Sequence, residues 1–242
     1  MIYLTLIGSV IAGAFAVMKL DLGKPRRLKL VTAFTGAYLM ALTCLHLIPE
    51  VFGNGHAHHH HGHHHGPPAI TLGAFILIGF FLQVLLDHYS GGIEHGHAHP
   101  TPGAMPLAMI AGLCVHAFLE AMPLAHMDTP RLLTAIAVHK FPVSIVLLSM
   151  LLQSCRTTQN AYLTLAIFAV MAPLGTLIGS QPALEHQAPF LLALVIGIFM
   201  HVSTTILFES SEDHHYNRRK ALAIILGAAV AALGVFLPIH AH

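Results

Sequence analysis

Apolar positions run in eight long blocks along the chain, at roughly 2–18, 29–52, 69–87, 103–126, 131–153, 161–179, 188–209 and 221–238. Each approaches the ~20 residues an α-helix needs to cross the hydrocarbon core of a bilayer. Breakers separate the blocks: Gly23-Lys24-Pro25, Gly66-Pro67-Pro68, Pro100-Thr101-Pro102-Gly103, Asp128-Thr129-Pro130 and Ser180-Gln181-Pro182. The pattern predicts an all-α polytopic membrane protein with eight transmembrane helices, spans 1 to 8, in one domain over 1–242. Eight helices would use about 160 residues, which leaves short loops and no room for a folded soluble domain. Met1-Ile2-Tyr3 lacks the basic start of a signal peptide, so the first block is expected to be a retained helix.

Orientation follows from Lys and Arg in the loops. With an external N-terminus, loops 1–2, 3–4, 5–6 and 7–8 are cytosolic. They hold Lys19, Lys24, Arg26, Arg27, Lys29, Arg156, Arg218, Arg219 and Lys220, nine of the 11 basic residues. The external loops hold Arg131, and Lys140 lies inside span 5. Both termini are therefore expected outside, in a multi-pass protein of the cell (plasma or inner) membrane.

Composition agrees. The 242 residues are 55% hydrophobic and 9% charged, with a mean hydropathy of +0.72. A soluble domain carries about 25% charged residues, so a soluble enzyme and a disordered chain are both excluded. The formal charge of +1 is not gathered into a basic block that would track phosphates, so no nucleic-acid partner is expected. Cys44, Cys114 and Cys155 are too few and too dispersed for a disulfide framework or a thiolate zinc site.

Histidine changes the picture. There are 22, and neutral imidazole is a ligand for Zn, Cu, Ni and Fe. Eight lie in His56–His65, within an external His-rich loop at 53–68. His95, His97 and His99 belong to a cytosolic loop at 88–102; His214 and His215 lie in loop 7–8, and His240 and His242 end the chain. Such loops lack material for a core. They serve as metal buffers or carry no role in transport; both readings stand.

Ionisable residues inside spans cost about 2.5–3.5 kcal/mol each on insertion scales, so each is a functional candidate. In span 4, His116 and Glu120 stand at i, i+4 and project from one helix face. Span 5 contributes His139, within about 3 Å of His116 in depth by residue count at 1.5 Å per residue. The short turn at Asp128-Thr129-Pro130 predicts that spans 4 and 5 pack as an antiparallel hairpin. Pro142 is expected to free the carbonyl of Val138 and open span 5 at mid-membrane. The bland alternatives are a structural His116–Glu120 hydrogen bond or a Glu120–Lys140 ion pair joining two helices. His46 and Glu50, also i, i+4, offer an external ladder for an incoming ion or an interfacial anchor. His201 in span 7 offers a stop on the way out or an interhelical hydrogen bond, for example to Thr204 or Thr205. Asp87 and His88 close span 3, and Glu209, Glu212 and Asp213 close span 7, with the same ambiguity. The Met residues read as packing, and the small residues Gly8, Ala12, Gly13 and Ala16 of span 1 and Ala223, Gly227 and Ala231 of span 8 as surfaces for close helix approach.

These residues resemble the ZIP-type (Zrt/Irt-like) metal transporters. Span 4 reads His116-Ala117-Phe118-Leu119-Glu120-Ala121, span 5 reads His139-Lys140-Phe141-Pro142-Val143-Ser144, span 2 ends His46-Leu47-Ile48-Pro49-Glu50, and span 6 holds Pro173-Leu174-Gly175. The resemblance implies a 3+2+3 helical bundle, a metal site on spans 4 and 5, and divalent metal movement toward the cytosol. It also implies a homodimer and an elevator-like sliding of one helix group against another. Ala117, Lys140 and Val143 stand where two-metal members carry further ligands. One metal per site is expected, with the Lys140 ammonium in the space of the second ion. Lys140→Ala or Lys140→Asp is expected to alter selectivity or rate.

The expected function is therefore transport of divalent transition-metal ions as substrate, without a catalytic cofactor. Two imidazoles and a carboxylate suit Zn²⁺ first and admit Fe²⁺, Mn²⁺, Co²⁺ and Cd²⁺. The same donor set describes an intramembrane zinc-dependent hydrolase, although HExxH is absent and no second carboxylate stands as base. A membrane metal sensor or store built on the His tract is the other alternative. The chain is expected not to be an enzyme.

Overall fold

In a computed structural model the described residues are 1–20, 25–53, 67–90, 107–126, 130–155, 157–209 and 218–236. They are almost wholly helical, without a strand among them. Eight helices are long and apolar enough to cross a membrane: Ile2–Leu20, Arg27–Gly53, Ala69–Tyr89, Leu107–Ala125, Pro130–Ser154, Thr158–Gly179, Ala188–Phe208 and Arg218–Phe236. They are spans 1 to 8 of the apolar pattern, displaced by a few residues at their ends. The tract His56–His65 and residues His95, His97, His99, Glu212, Asp213, His214, His215, His240 and His242 lie outside the described residues, as does most of loops 53–68 and 88–102.

Glycine sets which helices press together. A Cβ on Gly13 in span 1 would collide with Ser144 and Phe141 of span 5. One on Gly175 or Gly179 in span 6 would strike the carbonyls of Phe118 and Met122 at the end of span 4. Gly79 of span 3 and Gly197 of span 7 approach each other's backbone reciprocally, at Leu194 and Ile76, and Gly227 of span 8 lies on Phe34 of span 2. Without a solvent-driven hydrophobic effect between helices in lipid, such close backbone approach is what holds them. The expected small-residue contacts of spans 1 and 8 thus centre on Gly13 and Gly227, while Gly8 faces open space.

The close pairs assemble two groups. Spans 1, 4, 5 and 6 form one, and spans 2, 3, 7 and 8 the other. They meet chiefly where span 2 lies on span 5 and span 3 on span 4. Spans 4 and 5 follow one another in the chain but touch only lightly along their lengths, against the expectation that they pack as an antiparallel hairpin.

Span 5 continues as α-helix through Pro142, which has no N–H to give the Val138 carbonyl but does not break the span. The interruption is in span 2, where Thr43–Leu47 forms a π-turn in which the Ile48 N–H bonds to the Thr43 carbonyl. Pro49 follows directly, and its ring would clash with the carbonyl four residues back in a regular helix; the widened turn relieves that crowding and re-aims His46. Most hydroxyls in the spans bond back to their own helix, as Thr32, Thr35, Ser203 and Thr204 do, and so need no partner elsewhere.

Candidate metal centre

Span 4 is α-helical through Ala121, so residues four apart share a face. His116 Nε2 and Glu120 Oε2 lie 3.3 Å apart. His139 of span 5 brings its ring to 5.7 Å from that of His116, centroid to centroid, with planes at 70°. One ligand atom from each of the three lies within 4.8 Å of the others, and all three residues are buried. Among the described residues this is the one place where three His, Cys, Asp or Glu side chains converge in that way.

The geometry suits a small transition-metal ion. Zn–N and Zn–O bonds of about 2.0–2.1 Å in a tetrahedron place neighbouring ligand atoms about 3.3 Å apart. The His116–Glu120 edge already has that length. Two nitrogens among three donors disfavour Ca²⁺ and Mg²⁺, which take oxygen.

Lys140 completes the charge arrangement. Its Nζ donates to Glu120 Oε1 at 2.6 Å and stands 4.9 Å from the centroid of the Phe168 ring of span 6. The Glu120–Lys140 ion pair anticipated as a bland alternative is therefore present, but it uses the carboxylate oxygen other than the one facing His116. Both readings coexist on one side chain.

A residue that the sequence reading passed over is Gln83 of span 3. Its side chain is fully buried, and its Oε1 lies 2.9 Å from His116 Nδ1. The available signal was an amide inside an apolar span, four residues before Asp87.

The outlying candidates fall into two clusters. His46 Nε2 lies 3.2 Å from Glu50 Oε2, and Arg131 Nη1 lies 3.2 Å from His46 Nδ1. Guanidinium only donates, so Nδ1 accepts here and Nε2 turns to the carboxylate. Arg131 Nη2 also donates to the Val235 carbonyl of span 8 at 3.2 Å. The loop cation of the orientation count is thus a tie from span 5 to spans 2 and 8. At the other end, His201 Nε2 lies 3.0 Å from Asp87 Oδ2 and 3.5 Å from Thr205 Oγ1, with the Phe80 ring perpendicular to it at 5.2 Å. Asp87, four residues after Gln83, is its partner across spans 3 and 7.

No curated protein matches the chain. A family model described as ZIP zinc transporter matches residues 104–235, which is 132 of the 242 residues and includes spans 4 to 7 with His116, Glu120, His139 and Lys140. Eight apolar helices and this match over more than half the sequence lead to one conclusion: the chain belongs to the ZIP zinc transporter family.

Proposed function

We propose that this member of the family is a metal-ion transporter whose substrate is a divalent transition-metal ion, Zn²⁺ first, held one at a time by His116, Glu120 and His139 and carried toward the cytosol. The observation that carries this reading is the burial of three converging donors between spans 4 and 5. A carboxylate and two imidazoles remove an ion from water with direct bonds, which offsets a dehydration that bare hydrocarbon would not.

Lys140 holds the ion number at one. A second dication would have to sit beside its ammonium, and like charges at 4 Å repel by several kcal/mol at intermediate dielectric. The ammonium also neutralises Glu120 when no ion is bound and yields the carboxylate to the incoming metal.

The motion is elevator-like. Spans 4 and 5 both belong to the group of spans 1, 4, 5 and 6, so the three donors travel together. The glycine contacts lie inside each group, at spans 1–5, 4–6, 3–7 and 2–8, which supports sliding between groups over deformation within them. His46 and Glu50 on the external side and His201 with Asp87 on the cytosolic side are secondary stations; Arg131 must leave His46 before a cation takes its place. Both termini and loop 53–68 face outward, loop 88–102 faces the cytosol, and the membrane is the cell membrane. Spans 3 and 8 bury few residues within the chain and face lipid or a second copy in a homodimer.

Uptake into proteoliposomes tests the assignment, with Zn²⁺, Fe²⁺, Mn²⁺, Co²⁺ and Cd²⁺ offered separately. His116→Ala, Glu120→Ala and His139→Ala should each abolish uptake. Flux indifferent to all three substitutions rules the site out. Turnover of a peptide or lipid without metal flux would favour the hydrolase instead.

A further inference from the structure

We propose that Gln83 is a positioning residue for the transported metal: its side-chain carbonyl accepts the Nδ1–H of His116 and so presents Nε2 to the ion. The inference rests on the reading of His116, Glu120 and His139 as the metal site.

The distances support it from both sides of one ring. His116 Nδ1 is 2.9 Å from Gln83 Oε1, and Nε2 is 3.3 Å from Glu120 Oε2. A neutral imidazole has one donor and one acceptor nitrogen. When Nδ1 donates to the amide oxygen, the Nε2 lone pair faces a carboxylate oxygen. Two acceptors at that distance repel unless a proton or a metal ion lies between them, so the neutral ring leaves the space between Nε2 and the carboxylate to an incoming metal. Metal-ligating histidines typically give their other N–H to a carboxylate, carbonyl or water, which fixes the ring and raises ligand basicity. Gln83 does so without adding charge beside Lys140 and Glu120.

The placement of Gln83 has a second consequence. It stands on span 3, in the group of spans 2, 3, 7 and 8, whereas His116 stands on span 4 in the other group. The bond crosses the sliding surface at the depth of the site. His116 is therefore held by Gln83 in this conformation and released from it when the groups move. Metal is gripped more tightly in the conformation where Gln83 reaches His116 and more weakly after the shift.

Zn²⁺ binding to the purified full chain, measured calorimetrically, tests the assignment with three variants. Gln83→Leu removes the acceptor and should weaken binding by about 10–100-fold, the usual effect of losing such a partner. Gln83→Glu keeps an acceptor at the same reach and should restore affinity to at least the wild-type level, with slower turnover in uptake. Equal affinity in Gln83→Leu and wild type overturns the proposal, as does equal weakening in Gln83→Leu and Gln83→Glu, which marks a packing role. His116→Ala separates the two readings. If it abolishes binding while Gln83→Leu is silent, only the role of Gln83 falls; if it is silent, the site and the role of Gln83 fall together. The unsubstituted chain supplies an independent readout. Nitrogen NMR of the Zn²⁺-loaded protein should show His116 protonated at Nδ1 and metallated at Nε2, and metallation at Nδ1 overturns the proposal.

Discussion

Lys140→Met isolates what the buried ammonium does. Methionine is one heavy atom shorter than lysine and packs well against the Phe168 ring, so the main loss is the ammonium and its charge. In the wild type, Lys140 Nζ and Glu120 Oε1 lie 2.6 Å apart with both side chains buried. At an effective dielectric of about 20, unit charges at that distance attract by about 6 kcal/mol. Desolvation of both groups offsets much of this, yet breaking a buried pair by removing one partner costs about 3–5 kcal/mol, because the other charge is left uncompensated. For a chain of this size each kcal/mol moves the melting temperature by about 2–4 °C. The metal-free variant should therefore melt about 6–20 °C below the wild type. Metal has the opposite sign. With the competing ammonium gone, Glu120 is available to the ion, and each tenfold gain in affinity adds about 1.4 kcal/mol of stabilisation at fixed excess metal. The Zn²⁺-induced shift should accordingly exceed that of the wild type by several degrees. Thermal unfolding of purified protein, with chelator and with Zn²⁺, measures both numbers. Equal melting without metal, or a metal shift no larger than wild type, would refute the exchange of ammonium for cation at Glu120.

Three further outcomes follow from other parts of the structure. Gly197→Val should destabilise the fold by about 1–3 kcal/mol or more, because a Cβ there meets the Ile76 carbonyl, while Gly8→Val, with open space around it, should melt with the wild type; equal melting of the two variants would undo the packing argument. Arg131→Met removes charge-assisted bonds worth about 1.5–3 kcal/mol between span 5 and spans 2 and 8, and should leave Zn²⁺ affinity within about twofold while raising the maximal uptake rate several-fold; a rate at or below wild type would show that the tie does not restrain the motion. If His116 and His139 hold the metal as proposed, protons compete with it, since a protonated ring has lost its lone pair and gained a like charge, and affinity should fall as pH is lowered. The slope of log affinity against pH should approach about two in the wild type and one in His139→Ala, and an unchanged slope in the variant would remove His139 from the ligand set.

The eight-helix architecture was determined by the sequence, because hydrocarbon thickness and the need to pair every backbone group leave a run of ~20 apolar residues one way to cross. The His116–Glu120 pairing was equally legible, since residues four apart on a helix are neighbours whatever surrounds them. The approach of His139 rested on depth counting and a family resemblance, and the tertiary structure brought its ring beside that of His116. Everything that depends on rotation of one helix against another lay beyond the linear pattern. Span 5 runs unbroken through Pro142, and the helix opens instead before Pro49. Gln83 reaches His116 from 33 residues away, and Arg131, counted only as a loop charge, ties three helices together. Local spacing encodes neighbours along one helix axis; which faces of different helices meet is decided by where glycine lets backbones touch, and that condition is satisfied jointly by residues far apart in the chain.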